Sequence, residues 1–417
     1  MYLRSSLLTN NNNYDYYLYK YTVKQIKCHN MEKKLTDSLL TKEREKLIFH
    51  NFDEKLKPHI EDLLSLGKSA GADLVEVFLE KSDNISVLAE QDDISNVSPS
   101  FALGAGIRVF LGKKDGFVST NDLSKAGLLF ALNQALGMLG LVIGSKNTDK
   151  FEGLSDLKDF GTNKNNWLRQ SPDLKESTLK LLEATSSLSD KSKILQVRRA
   201  SYSRNWQEVL VAATDGVFAR DIRLHQTVGI NVIAQKGKNR STSSRRYGSS
   251  ANPDDLRNWN IDKSSFELNE SAQKMLYAEY VEAGQMPVVL ANKFGGVIFH
   301  EACGHLLETT QLERGTSPFH DSINKQIAHK SVSAVDEGFS NHAFGSLSMD
   351  DEGMEPQNTL LIDNGFLKAF LSDRAGSLRT GHPRTGSGRR QNFSFAAASR
   401  MRNTYIKQGN YSPDELI

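Results

Sequence analysis

Cysteine is nearly absent from this chain of 417 residues: Cys28 and Cys303 are the only two. Their flanking sequences share nothing, so no disulfide framework is expected and the natural setting is a reducing, cytoplasmic one. An excess of one charge is also missing. Lys and Arg total 52 against 50 Asp and Glu, and a net charge of +2 selects no polyanionic partner by itself. No apolar run approaches the roughly 18 residues that span a bilayer, so no membrane association is expected. No serine sits in a GxSxG elbow, which argues against a serine hydrolase, and no repeat of solenoid period is present.

What the chain does have is 38% apolar residues, with three Trp and 20 Phe, enough to bury one large core or several smaller ones. The opening stretch, "MYLRSSLLTNNNNYDYYLYKYTVKQIKCHN", is rich in Asn and Tyr, holds Asp15 as its single acid and lacks the apolar h-region of a secretory signal. It is read as an extension translated upstream of a start at Met31, and residues 1–52 as a leader outside the folded domains.

The signals then alternate between helix and strand, giving an α+β expectation: a small amino-terminal α+β domain followed by a larger mixed sheet-and-helix region. Residues 53–145 carry a helix, "KLKPHIEDLLSLGKSAGA", stopped by Gly71, and strands "DLVEVFLE", "NISVLAE", "GAGIRVFLG" and "GFVSTN". A second helix, "DLSKAGLLFALNQALGML", is expected to be capped by Asn121. Residues 146–170 read as a linker. The span 171–285 reads as a β-rich central domain. It has a helix near Pro172–Ser186, strands "ILQVRRASYS", "EVLVAAT", "VFARDIRLH", "GINVIAQ" and "SSRRYGS", an Asp-Gly turn in "ATDG", and a helix from Phe266 to Gly284. The last span, 286–417, opens on "MPVVLAN", expected as a short buried strand, and contains a hairpin turning at Asn364-Gly365 in "NTLLIDNGFLKAFLSD".

Between these lies "VIFHEACGHLLE", with His300 and His305 five positions apart. In a regular helix each residue advances about 100°, so positions i and i+5 diverge by about 140° and cannot share an ion. One residue absorbed as a π-bulge brings them onto one face, and Gly304 is the residue best able to take up that distortion. Neutral imidazoles are good zinc ligands, and a catalytic zinc uses three protein ligands with a fourth position left for water. Glu301, beside the first histidine, is then placed to take a proton from that water. The plainer alternative is a buried helix end whose histidines make ordinary hydrogen bonds. Cys303 follows His300 by three positions, but ligands packed so closely rarely complete a tetrahedron, and it reads as a small buried hydrophobe.

In order along the chain, "HEACGHLLE", "ERGTSPF", "SLSMDDEGMEPQNTLLIDNGFLKAFLSD", "RTGSGRR" and "SRMRNTYI" resemble the TldD/PmbA family, particularly its TldD branch, and "ALGAGIRVFLGKKDGFVSTNDLS" resembles that family's first domain. The resemblance runs from about residue 55 to the end. It implies a zinc metallopeptidase that hydrolyses unstructured peptides held in extended form and works as a dimer with a related subunit, the metal-free member of a heterodimer. It further implies His300 and His305 as metal ligands to one zinc or other divalent ion and Glu301 as general base. The family's third ligand is a cysteine in a segment lying after the position of Ile417, so the chain is expected to be a fragment; the alternative is a non-catalytic partner subunit. Gln391 and Ser387 stand where the family usually has Glu and Asn.

The acids of "SMDDEG" are read as surface-loop carboxylates or as part of an active-site wall, pairing with Arg389 or Arg390, rather than as a Mg or Ca site. Arg314 and Arg400 are placed to clamp a substrate carboxylate bidentately, or equally to form interior ion pairs, and Arg389 and Arg390 are also taken as candidate substrate-binding residues. "KGKNRSTSSRRYG" and "RTGSGRR" are basic but lack interleaved aromatics, so no nucleic-acid partner is expected and they read as solvated loops or as donors to a peptide.

Overall fold

The structure is a computed structural model that describes residues 52, 56–91, 93–144, 150–163, 174–188, 194–250, 260–292, 295–340 and 343–416. Of the leader expected at 1–52, residues 1–51, with Cys28 and Met31, lie outside the described residues, as does part of the expected linker; Phe52 does not belong to a leader, being buried in the core with its backbone bonded to Glu208 and Arg220. The architecture is α+β, as the alternation of helix and strand signals implies.

Helix α1 (Lys57–Ser69) starts with Pro58 in its first turn, where a missing N–H costs nothing, and the chain reverses after it at Gly71 with φ 98°. Strands β1 (Leu74–Glu90), β2 (Asp93–Leu111) and β3 (Lys114–Thr120) follow as an antiparallel meander. Helix α2 (Lys125–Gly137) is capped by Ser124, whose side chain accepts from Gly127 N–H, and not by the expected Asn121. Asn121 instead donates to the Leu103 carbonyl. The two-residue strand β4 (Lys158–Asp159) and helix α3 (Leu174–Ser187) lead to β5 (Leu195–Ala213), β6 (Phe218–Lys236) and β7 (Asn239–Ser250). The "ATDG" turn joins β5 to β6, with Gly216 at φ 92°.

One seven-stranded sheet, ordered β3-β2-β1-β5-β6-β4 with β7 also on β6, takes in strands from both the first and second expected domains. The seam is the antiparallel pairing of β1 with β5. The short apolar runs read as separate strands are halves of strands 17 and 19 residues long. Their polar middles stay in the sheet because charges meet across it: Lys81 lies 2.8 Å from Glu208, and Asp83 pairs with Arg204, all buried.

Alternation along β1 divides its two faces. Val75, Val77 and Leu79 join Ile107, Val109, Leu210 and the inner faces of α1 and α2 in one core. Farther along the same sheet, Ile85, Val87, Tyr202, Ile230 and Val232 pack against Leu181 and Ala184 of α3 and against Leu268 and Ala272 of helix α4 (Ile261–Met275). Helix α4 ends well before the expected Gly284. The opposite face presents Glu76, Phe78 and Glu80 to the carboxy-terminal half, where Met349 and Phe393 meet Phe78.

That half holds helices α5 (Gly295–Phe299), α6 (Thr309–Glu313) and α7 (Arg374–Thr380). Its strands are β8 (Ala334–Glu337), β9 (Thr359–Asp363), β10 (Phe366–Leu367), β11 (Gly388–Arg389), β12 (Ala398–Ser399) and β13 (Asn403–Ile406). Strands β10-β9-β8-β13 form a small sheet, and Asn364-Gly365 turns its hairpin with φ 47° and 85°. Successive positive φ values suit the right-handed twist of the flanking strands. "MPVVLAN" is neither a strand nor buried: Met286, Val288, Val289 and Leu290 are 49%, 70%, 57% and 52% exposed. Apolarity alone does not bury a segment; a pairing partner must, and none of the described residues supplies one. Among the described residues no helix is long and apolar enough to cross a membrane.

Candidate metal centre

The chain enters the site through one turn of α5 and then widens. Residues His300–Gly304 form a π-helical turn in which the His305 N–H reaches back to the His300 carbonyl, and His305–Leu307 tighten into a 3-10 turn. The i+5 hydrogen bond is what the five-residue spacing requires. It sets the two imidazoles 4.7 Å apart between ring centroids at 81°. Donor atoms of His300, Glu301 and His305 all lie within 4.8 Å of one another, and no other His/Cys/Asp/Glu group among the described residues converges as a metal site would. Glu301 and His305 are 65% and 37% exposed at their side chains, so the group is open to solvent on one side. Two imidazoles beside a carboxylate suit zinc.

Gly304 has φ −54° and ψ −51°, helical values open to any residue, so the expected need for glycine to take up the distortion is not seen in its backbone. A Cβ there would lie 2.3 Å from Met401 Sδ, so the turn presses directly on the segment leading into β13. Beneath it, Leu307, Leu361, Phe370 and Leu371 form a small core on which Phe299, Cys303 and Met401 pack. Cys303 is a half-buried member of that layer and stands outside the convergent group; burial pushes its thiol up.

Glu308 sits at the end of the 3-10 turn and is fully buried. Its Oε1 is 3.1 Å from His305 Nδ1 and accepts from Met401 N–H at 3.3 Å; its Oε2 accepts from Arg400 Nη1 at 3.0 Å. His305 Nε2 is left facing Glu301 Oε2 at 4.0 Å. Burial raises the Glu308 carboxyl, with Arg400 and His305 pulling the other way. Although Glu308 stands only three positions past His305, sequence reasoning gave it no role, because its burial depends on Arg400 and Met401 arriving from far along the chain.

The four arginines proposed from sequence separate clearly. Arg400 is taken up by Glu308. Arg390 is buried, pairs with Glu76, lies 4.7 Å over the Phe78 ring and donates from its backbone N–H to Asp351 at 2.6 Å; it belongs to the interior. Arg389 is an ion-pair partner of Asp351, with Nε 3.7 Å from Oδ2 and buried without a hydrogen bond. Arg314 is exposed at the end of α6, in no ion pair among the described residues.

"SMDDEG" is not a surface loop. Asp350, Asp351 and Glu352 are buried, and their partners are arginines and backbone N–H groups rather than an ion-binding cage. Asp351 accepts from Arg223 Nη1 at 2.5 Å, and although burial opposes it, Arg223 and Arg389 hold its carboxyl below the ordinary range. Glu352 accepts from Arg374 N–H at 2.7 Å and from Arg384 Nη2 at 3.2 Å. Burial, then the neighbouring Glu76, Asp373 and Asp350, push Glu352 up to about 8. The "RTGSGRR" segment is likewise largely buried, and "KGKNRSTSSRRYG" forms the β6–β7 hairpin rather than a loop.

Models of three successive domains of one family match the chain: PmbA/TldA metallopeptidase domain 1 at residues 75–139, the central domain at 165–276 and the C-terminal domain at 283–417. A metalloprotease TldD homolog from Buchnera aphidicola subsp. Acyrthosiphon pisum is 32% identical over 322 residues, covering 75% of this chain. The chain spans 66% of that relative's length. A zinc metalloprotease TldD homolog from Saccharolobus solfataricus is 39% identical over 137 residues, covering 33% of this chain and 30% of its own. The crystal structure of TldE from Thermococcus kodakarensis shares the fold with a TM-score of 0.65 at 19% identity, over 86% of this chain and 79% of that one.

Proposed function

Because the chain belongs to the PmbA/TldD metallopeptidase family, we propose that it is a zinc-dependent peptidase acting on unstructured peptides bound in extended form, with His300 and His305 as metal ligands and Glu301 as general base. The observation that carries this reading is the π-helical turn that gathers the two imidazoles around Glu301. A chain with no metal chemistry gains nothing from such a distorted turn.

When bound, zinc supplies Lewis acidity that polarises the scissile carbonyl and lowers the pKa of a water. Glu301 takes a proton from the attacking water and returns it to the leaving amine. Its large exposure is what a group that must meet substrate and solvent requires. An extended peptide is recognised mainly through its backbone, which gives broad sequence preference. Of the four arginines, Arg314 is exposed and in no ion pair among the described residues, so Arg314→Gln is expected to raise KM more than it lowers kcat.

A third protein ligand completes a catalytic zinc site, and the resemblance implies a cysteine in that role. We propose that the active unit pairs with a related subunit in the cytoplasm. The second reading is a non-catalytic partner subunit, against which the intact and converging His300, Glu301 and His305 weigh. Zinc content separates the two. Stoichiometric zinc that disappears in His300→Ala and His305→Ala, with peptide cleavage abolished by Glu301→Gln while zinc is retained, is the expected result. Cleavage unaffected by Glu301→Gln, or zinc retained without both histidines, rejects the enzyme.

A further inference from the structure

Resting on the metal reading above, we infer that Glu308 is a positioning residue that fixes the tautomer and orientation of His305. A neutral imidazole carries one N–H, and an ionised carboxylate only accepts. With Glu308 Oε1 3.1 Å from Nδ1, the proton stays on Nδ1 and the lone pair on Nε2, the nitrogen that faces Glu301. The carboxylate is itself fixed from two sides, by Arg400 Nη1 at 3.0 Å on Oε2 and by Met401 N–H at 3.3 Å on Oε1. Both partners are donors, so Glu308 is built as an acceptor throughout. A carboxylate that orients a metal-binding histidine also raises the basicity of the ring, and losing such a partner typically costs 10- to 100-fold in metal affinity.

An amide cannot reproduce this arrangement. In Glu308→Gln, with the amide oxygen facing the charged Arg400, the NH2 would turn toward both Met401 N–H and His305 Nδ1, and the ring would answer by moving its proton to Nε2. The experiment uses the full chain, with Glu308→Gln and Glu308→Asp, in two measurements. Imidazole 15N NMR of the metal-free protein, with the His305 signals identified by their loss in His305→Ala, is expected to show Nδ1–H in the wild type and Nε2–H in Glu308→Gln. Zinc affinity, measured by chelator competition, is expected to fall about 10- to 100-fold in Glu308→Gln, with partial recovery in Glu308→Asp. An unchanged tautomer overturns the proposal whatever zinc does, because the NMR needs no metal. Unchanged zinc affinity in a chain that binds through His300 and His305 overturns it too. A purely structural role would shift melting without moving the proton, and that result also overturns it. Failure of the metal reading itself shows separately, as wild-type zinc binding indifferent to His300→Ala.

Discussion

Replacing Glu352 with glutamine should change how stability depends on pH while leaving acid-side stability nearly intact. Glu352 is fully buried, and its Oε1 has no hydrogen-bond partner, lying 3.8 Å from Arg108 Nη1. Burial, with Glu76, Asp373 and Asp350 close by, lifts its carboxyl from the ordinary 4.5 to about 8, so at neutral pH it carries a proton in the folded protein and none in the unfolded chain. A folded-state value above the unfolded one means that stability is full below about 4.5 and is lost as pH rises through about 8. Each tenfold change in an acid's dissociation constant corresponds to about 1.4 kcal/mol, which bounds the loss over this window at roughly 5 kcal/mol, with a realistic expectation of about 2–4 kcal/mol once neighbouring acids relax. The glutamine side chain in Glu352→Gln has the size and neutrality of the protonated acid but cannot ionise. Urea unfolding followed by tryptophan fluorescence at about pH 5, 7 and 9 should therefore give similar stabilities for the two proteins at the acid end. At the alkaline end the variant should be more stable by about 2–4 kcal/mol. Asp350 and Asp373, also raised, lie close enough to feel Glu352, so removing its charge alters their ionisation too and the difference of about 2–4 kcal/mol belongs to the cluster. Parallel curves, with the variant weaker by a constant amount at every pH, would refute the idea that Glu352 is held protonated.

Gly304→Ala should cost at most about 1–2 kcal/mol, since overpacking of about 1–3 kcal/mol is offset by about 0.5–1 kcal/mol from replacing a helical glycine and the atom met at 2.3 Å, Met401 Sδ, ends a flexible side chain; it should also weaken zinc binding, with Met401→Ala recovering part of both losses, and zinc affinity unchanged in Gly304→Ala would show that the turn does not press on Met401. Arg402 is buried against Asp336, with Nε 2.7 Å from Oδ2 and Nη1 donating to the Thr385 and Gly386 carbonyls. Arg402→Leu strands that carboxylate and should cost about 3–5 kcal/mol, whereas Arg402→Leu with Asp336→Leu should cost less than the single change, measured by the same unfolding experiment.

What the sequence determined by itself is local. If His300 and His305 share a helix and an ion, their five-residue gap calls for a π-helical turn, because 3.6 residues per turn otherwise points the rings apart, and that turn is present. Asn364-Gly365 specified a hairpin through its positive φ values, and α1 and α2 followed from helical apolar spacing. Only the tertiary structure decided which polar residues lie inside. Lys81 and Asp83 break the apolar pattern of β1 yet stay buried because Glu208 and Arg204 come to meet them from β5. Asp351 and Glu352 look like loop acids until Arg223, Arg384 and the Arg374 N–H close around them. Arg390, which looks like a substrate clamp, is held by Glu76 from near the other end of the chain. "MPVVLAN" fails in the opposite sense, apolar yet exposed, since its neighbours in sequence do not supply a strand to pair with. A backbone periodicity is written in neighbouring residues, whereas burying a charge costs several kcal/mol unless a partner of opposite sign meets it, and that partner can come from hundreds of residues away.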